Sequence, residues 1–374
     1  MVVRTAVVGA GTIARTHLAG VSENPRTGLV AVCDLDRERA EAMGSEFDTD
    51  AETDLSVVLA DVDAIHVCTP VQTHFEIASR AIKAGVAVLI EKPATLDSGE
   101  IEELQRQAES AGVPATVVHN HLFDPALRRL RERIDDGELG RIRGVDVIYG
   151  GLTPPDTENR GSWVFELPGG EFEEGLPHPI YAALGLGGYP EDESSIDART
   201  ALSREYDGGF SYDRARIQYV SEAGALCSVT MLSGGLPLRL HVVSGTERAV
   251  VVDELNQSVS TVEEDYTRST LARSKRGLDV SMAQLSSSVS NARLVAAERA
   301  GGWEAAARAT SHFALFDRFA RAVTGDGEVP IPLEQSKWTI RALEAIRESA
   351  APDGRIVTNS PGADEVTGER TEPS

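Results

Sequence analysis

Lysine is the scarcest common charged residue in this chain: four, at positions 83, 92, 275 and 337, against 32 arginines and 59 acids. The formal charge of −23 argues against a nucleic acid or an anionic bilayer surface as partner, because like charges would repel. The acid excess and missing lysine predict a surface adapted to high salt, with a GC-rich genome as the rival source of the arginine bias. Cysteine is sparse too. Cys33, Cys68 and Cys227 stand alone in sequence, so neither a disulfide framework nor a zinc knuckle is expected. No stretch approaches the roughly 20 uninterrupted apolar residues that cross a bilayer. The short run from Val2 to Val8 leads into a glycine turn rather than a cleavage site, which predicts a cytoplasmic protein. Where lysine is this rare, one retained beside a strand end, as Lys92 is, carries extra weight.

What is present is a repeating alternation. The length of 374 residues suits about two domains. Arg4 to Val8 reads as a strand. It runs into Gly9-Ala10-Gly11-Thr12-Ile13-Ala14 and a helical segment, and a second strand from Leu29 to Cys33 ends at Asp34. This is a dinucleotide fingerprint in its required context. Gly9 permits the tight turn, Gly11 lacks the Cβ that would block a pyrophosphate, and Ala14 lets the helix pack closely. Asp34 sits where an acid bonds the ribose hydroxyls. Its charge favours NAD over NADP, although Arg37 or Arg39 could accept a 2′-phosphate. Further strands from Ala64 to Cys68, Ala87 to Ile90 and Ala115 to Val118 alternate with helices from Leu55 to Ala60, Gln72 to Ala84 and Asp97 to Ala111. Such alternation predicts a parallel sheet covered on both faces, with ligands bound beyond the strands' carboxyl ends. The turns holding Thr12 and Ile13, Asp34, Thr69 and Pro70, Glu91 and Lys92, and Asn120 should therefore open on one cleft. His74 is expected to cap its helix or brace the cofactor loop.

The ordered pieces G-A-G-T-I-A-x-x-H, A-V-C-D, T-P-V-Q-T-H and E-K-P resemble the glucose-fructose oxidoreductase / inositol dehydrogenase (Gfo/Idh/MocA) family. The resemblance continues through Phe123-Asp124-Pro125-Ala126, Ser162-Trp163, Gly169-Gly170, His178 and the stretch from Phe313 to Ser349. It implies an α/β protein: an N-terminal Rossmann parallel sheet over 1–122, and an α+β domain over 123–350 with a large, mostly antiparallel open sheet. A homo-oligomer, dimer or tetramer, is also implied. Strand-like runs from Ile142 to Tyr149, Ser211 to Val220, Ala225 to Met231, Leu238 to Val243 and Arg248 to Val252 agree independently. A helical insertion is expected at about 270–309, with Leu285, Val289, Leu294 and Ala297 on one face, and a disordered tail at 351–374.

The resemblance implies NAD(P)-linked oxidation or reduction at a secondary alcohol of a sugar, inositol or related polyol. Lys92 would reach the reacting oxygen and His178 would act as acid/base. The family's Asp-x-Gly-x-His-x-x-Asp is altered here to Glu174-Gly175-Leu176-Pro177-His178-Pro179-Ile180-Tyr181. Glu174, or Glu173 in its place, could orient the imidazole, although Pro177 and Pro179 argue against a regular helix. Asn120 and His121 should line the cleft floor; Leu122 stands where relatives often carry an arginine. Arg160 and Trp163 are substrate-pocket candidates by position alone. No metal site is expected, since His119 and His121 lack a nearby acid cluster in sequence. Two other readings stay open: a non-catalytic sensor binding a dinucleotide and a metabolite, and a dehydrogenase of a non-carbohydrate diol.

Overall fold

The computed structural model describes residues 2–263, 267 and 269–350; the tail expected at 351–374 lies outside the described residues. Two sheets organise the chain. The first has strands β1 (Val3–Val8), β2 (Thr27–Cys33), β3 (Asp50–Glu52), β4 (Ala64–Val67), β5 (Ala87–Ile90) and β6 (Ala115–Val117) in the order β3-β2-β1-β4-β5-β6. Every pair is parallel. Residues of β1, β4 and β5 are buried almost throughout, as a sheet covered on both faces requires. The covering helices are α1 (Ala14–Glu23), α2 (Arg37–Phe47), α3 (Leu55–Leu59), α4 (His74–Lys83) and α5 (Ser98–Ala111). Asp36 and Asp97 cap α2 and α5 by accepting backbone N–H groups of their first turns, the bonds that start a helix. Strand order reverses between β1 and β4, and a crevice opens there beyond their carboxyl ends.

Helix α6 (Pro125–Asp135) leads to the second sheet, ordered β13-β12-β11-β7-β10-β9-β8. Its strands are β7 (Ile142–Leu152), β8 (Asp197–Ala201), β9 (Arg214–Val220), β10 (Leu226–Ser233), β11 (Leu238–Gly245), β12 (Ala249–Asp253) and β13 (Ser258–Val262). All pairs are antiparallel except β7 with β10. Val145, Val147 and Tyr149 of β7 alternate with exposed or half-buried neighbours, so one face is buried. Helices α7 (Gly170–Gly175), α8 (Pro177–Gly187), α11 (Ser311–Val323) and α12 (Leu333–Ser349) complete the core; α8 packs on β7 and β10, and α12 against α5 and α8. The expected insertion forms α9 (Thr270–Ala300) and α10 (Trp303–Ala309). Within this chain Leu285 and Val289 of α9 are 60% and 44% exposed, and Leu294 is half-buried.

The doubt over a helix at Pro177 and Pro179 is also resolved. Both prolines fall in the first turn of α8, where backbone N–H groups have no intrahelical partner, so proline costs nothing there.

Candidate active site

A cleft of about 360 Å³ lies over the switch point, walled by the first sheet's turns on one side and by the segment from Glu158 to Glu174 on the other. A second hollow of about 400 Å³ lies beside Pro114, Val329 and Pro332, but none of the cofactor motifs reaches it.

The glycine turn forms the cleft's first wall. Gly9 has φ +100°, and a Cβ there would lie 2.7 Å from the Cys68 carbonyl oxygen, so β1 and β4 approach too closely for a side chain. At Gly11 a Cβ would meet no protein atom within 4 Å. Ala14 is fully buried among Val7, Leu18 and Val32. Asp34 lines the cleft and accepts from the backbone N–H groups of Ala10 (2.7 Å) and Asp36 (2.9 Å), which ties the end of β2 to the glycine turn. Thr12 and Ile13 line the same wall. Arg37 does not: it turns to Glu41 and Thr53, and Arg39 lines the cleft instead. Thr69 and Pro70 stand opposite. His74 lies between the carbonyl oxygens of Thr69 (2.8 Å) and Pro93 (3.0 Å), joining the turn after β4 to the turn after β5.

Glu91 and Lys92 directly follow β5, and the Lys92-Pro93 bond is cis. Glu91 is pinned by His17 Nε2 at 2.9 Å and by the Lys92 backbone N–H at 3.1 Å, and His17 Nδ1 lies 3.0 Å from His66 Nδ1. Lys92 is buried. Its ammonium donates to the Glu174 backbone carbonyl at 3.1 Å and forms an ion pair with the Glu174 carboxylate. Burial alone raises the Glu174 carboxyl, but Lys92 and Arg160 more than offset it and hold it below its usual range. Arg160, 3.8 Å from Glu174, and Trp163 both line the cleft.

The expected support of His178 by an acid is corrected. Glu174 is engaged by Lys92. Glu173 accepts from the Tyr212 hydroxyl, the Gly169 N–H and Arg347. The His178 Nδ1 partner is the Tyr181 hydroxyl at 2.8 Å. The imidazole also stacks on His121, ring centroids 4.2 Å apart. Burial, then Lys92, His121, Arg239 and Arg160, push His178 well below its ordinary value. Lys92 is thus the strongest charge acting on this ring; His178 is half-buried and is not itself among the residues that wall the cleft, which end at Glu174. Asn120 and His121 also lie behind the wall rather than in it. Asn120 Oδ1 accepts from Tyr181, and His121 Nδ1 lies 3.1 Å from the Tyr149 hydroxyl and 3.0 Å from Glu254.

Glu254 was not among the sequence candidates, nor were His17, His66, Tyr149, Arg239 and His241. Glu254 collects Arg239 (3.0 Å), His241 Nε2 (2.7 Å) and the Tyr149 hydroxyl. Ligand atoms of His121, Asp124 and Glu254 fall within 4.8 Å of one another, so an acid pair does accompany His121: Asp124 three positions on, and Glu254 from the end of β12. Both Glu254 oxygens are already taken by cations and hydrogen-bond donors. One signal pointed here: six of the chain's eight histidines, His17, His66, His119, His121, His178 and His241, fall in these networks.

Several of these imidazoles make stability fall with acid. Burial holds His17 and His119 down at about 3, and His66 well below its ordinary 6.5. The unfolded chain therefore takes up protons near 6.5 that the folded protein refuses. Their contribution is complete above pH 6.5 and is lost as pH falls toward 3. Each costs up to about 1.4 kcal/mol per pH unit, roughly 4 kcal/mol per unit for the three. Carboxyls raised by burial, Glu91, Asp124 and Glu171 among them, oppose this in part. Thermal midpoints measured between pH 7.5 and 5 should drop steeply below 6.5; a flat profile would contradict the buried neutral histidines.

Known proteins resemble the chain in both halves. The profile of the oxidoreductase family with an NAD-binding Rossmann fold matches residues 3–119, and that of the GFO/IDH/MocA C-terminal domain matches 127–249. Inositol 2-dehydrogenase of Rhizobium meliloti is 29% identical over 250 residues, 67% of this chain and 70% of that protein. The 4-carboxy-2-hydroxymuconate-6-semialdehyde dehydrogenase of a Sphingobium species is 31% identical over 235 residues, 61% and 71% of the respective chains. Among solved structures, the WlbA dehydrogenase of Bordetella pertussis, in complex with NADH and UDP-GlcNAcA, has a TM-score of 0.71 at 21% identity, covering 93% of this chain and 95% of that one.

Proposed function

Because the chain belongs to the GFO/IDH/MocA family of oxidoreductases with an NAD-binding Rossmann fold, we propose that its cleft moves a hydride between nicotinamide and a secondary alcohol of a sugar, inositol or related polyol. The observation that carries this reading is the place of Lys92: a buried ammonium at the carboxyl end of β5, in the same cleft as the glycine turn and gripped by Glu174 of the opposite wall.

The turn fits a dinucleotide. The space over Gly11 is open, and no side chain caps the N-terminus of α1, which leaves backbone N–H groups for a pyrophosphate. Gly11, Thr12 and Ile13 would hold that group, Asp34 the ribose hydroxyls, and Thr69, Pro70 and His74 the facing wall. Asp34 would repel a 2′-phosphate, which supports NAD; NADP would have to recruit Arg39. The bound nicotinamide supplies the hydride acceptor, or the donor in the reverse direction. Lys92 would hold the reacting oxygen by hydrogen bond as its charge changes. His178, neutral because burial and the surrounding cations disfavour its charged form, would take the hydroxyl proton on oxidation and return it on reduction. Removing a proton from O–H and a hydride from the same carbon leaves C=O.

The test is reduced-nicotinamide absorbance from purified protein mixed with NAD or NADP and a panel of inositols, sugars and sugar acids. Turnover of at least one polyol, with kcat/KM higher for NAD than for NADP, is expected. NAD binding without turnover of any substrate would leave the sensor reading instead. The likeness to a semialdehyde dehydrogenase supports a second reading, a non-carbohydrate substrate, so cyclic diols and hydroxy acids belong in the panel. The proposal extends to a dimer or tetramer, since Leu226 and Leu238 stay exposed on the face of the second sheet turned away from the core. It also extends to a salt-adapted surface, for which the thermal midpoint should rise in molar KCl.

A further inference from the structure

The residue three positions after His178 replaces an acid of the family pattern, and in sequence this looks like a loss. Structurally it is a substitution of one partner for another. Tyr181 is fully buried on α8, where i and i+3 share a helix face. Its ring stacks on His119, centroids 4.2 Å apart and planes 9° from parallel, so the hydroxyl is held in place. Three polar groups meet that hydroxyl: the His121 backbone N–H at 3.1 Å, Asn120 Oδ1 at 3.1 Å and His178 Nδ1 at 2.8 Å.

The tautomer of His178 follows from counting protons. A phenol has one hydrogen and two lone pairs. Asn120 Oδ1 can only accept, so it takes the phenolic hydrogen; Asn120 Nδ2 is turned to Ser311 Oγ at 3.5 Å. The His121 N–H can only donate, so it fills one lone pair. The remaining lone pair faces His178 Nδ1, which must then carry a hydrogen. We infer that Tyr181, held by Asn120, is a positioning residue that fixes His178 in the Nδ1–H form, leaving the Nε2 lone pair as the base. This rests on the reading of His178 as the acid/base.

The physical difference from an acid at this position is charge. A carboxylate would orient the ring and also raise its affinity for a proton. The phenol orients it without adding charge, and burial pushes its own titration far up, so it stays protonated. The groups acting on the ring are then cations or imidazole: Lys92 from β5's end, His121 from the segment after β6, Arg239 from β11 and Arg160 from the cleft wall. That field favours the unprotonated ring in either tautomer, and the neutral phenol selects the one whose Nε2 lone pair is free. Among the described residues no group is hydrogen-bonded to Nε2, and it is not enclosed.

The experiment is nitrogen-15 NMR on histidine-labelled full chain, with His178 assigned by subtraction of a His178→Gln sample. The protein should show a protonated, pyrrole-type Nδ1 and a pyridine-type Nε2 at neutral pH. Tyr181→Phe keeps the ring and its stacking on His119 but removes the hydroxyl, and should mix the two tautomers. In turnover, Tyr181→Phe should lower kcat by about 10-fold to 100-fold with KM within about threefold. Tyr181→Asp should recover part of kcat and move the acid limb of the kcat/KM profile to higher pH. A structural role alone would lower the folded fraction of both variants and leave the acid limb where it was. An Nε2–H tautomer in the unaltered protein overturns the inference, as does a Tyr181→Phe protein whose tautomer and pH profile are unchanged. The NMR result stands apart from activity: an Nδ1–H form lost in Tyr181→Phe supports the inference even if no substrate turns over, in which case the functional reading fails alone.

Discussion

Lys92→Ala lowers turnover about 100-fold to 10,000-fold, the range for removing a group that holds or transfers charge at the reacting atom. Affinity for NAD should change little, because the pyrophosphate and ribose positions are built by other residues, Gly11 to Ile13 and Asp34. The substitution also has a structural consequence. Lys92 and Glu174 are both buried and paired, so deleting the ammonium leaves the buried carboxylate with only Arg160, 3.8 Å away, a loss of up to about 3–5 kcal/mol. A second variant separates the two effects. Lys92→Met combined with Glu174→Gln removes both charges and should recover most of the stability while turnover stays low. Rates and denaturant midpoints of the single and double variants check this. Recovery of turnover together with stability would show that Lys92 matters only for folding.

Gly11→Val weakens NAD binding by on the order of 100-fold or more while leaving the fold intact. The reason lies in what surrounds the position. A side chain at Gly11 would enter empty space on the protein side, so it collides only with what the cleft is shaped to receive. Gly9 is the contrasting case: there a Cβ meets the Cys68 backbone, and Gly9→Ala should destabilise by about 1–3 kcal/mol whether or not NAD is present. Titration calorimetry with NAD and thermal melts on both variants separate ligand space from protein strain. Normal NAD affinity in Gly11→Val would mean that the dinucleotide does not lie over this turn.

The parallel sheet was legible because its signals are local. Strands β1, β2, β4, β5 and β6 are short apolar runs followed by turn residues that point to one edge, and the expected limits lie within two residues of those observed. Helix α2 was missed because its apolar face is thin: Ala40 and Met43 are its buried apolar side chains, and at Gly44 a Cβ would lie 2.9 Å from the Thr49 carbonyl oxygen, which leaves room only for glycine. Strands β8 and β13 were missed for the same reason, being edge strands of mixed polarity.

At the site, motif residues came from sequence and partners did not. The Lys92 ion pair joins residues 82 apart, and Glu254 gathers Tyr149, Arg239, His241 and His121 from three separate segments. No spacing rule reaches that far. The assignment of Glu174 to His178 failed because it took four positions as one helical turn. Helix α7 ends at Gly175 and α8 starts at Pro177, so the two side chains belong to different helices. Tyr181, three positions on within α8, is the residue that a helical spacing would have found.

The central claim is hydride transfer in this cleft, and isotopic labelling tests it most directly. The substrate found in the polyol panel is prepared with deuterium on the carbon to be oxidised and incubated with the protein and NAD. Mass spectrometry of the reduced cofactor should show one deuterium carried onto the nicotinamide ring, with the transfer slowed in Lys92→Ala. Reduced cofactor without deuterium, or labelled cofactor formed equally fast by Lys92→Ala, would contradict the account.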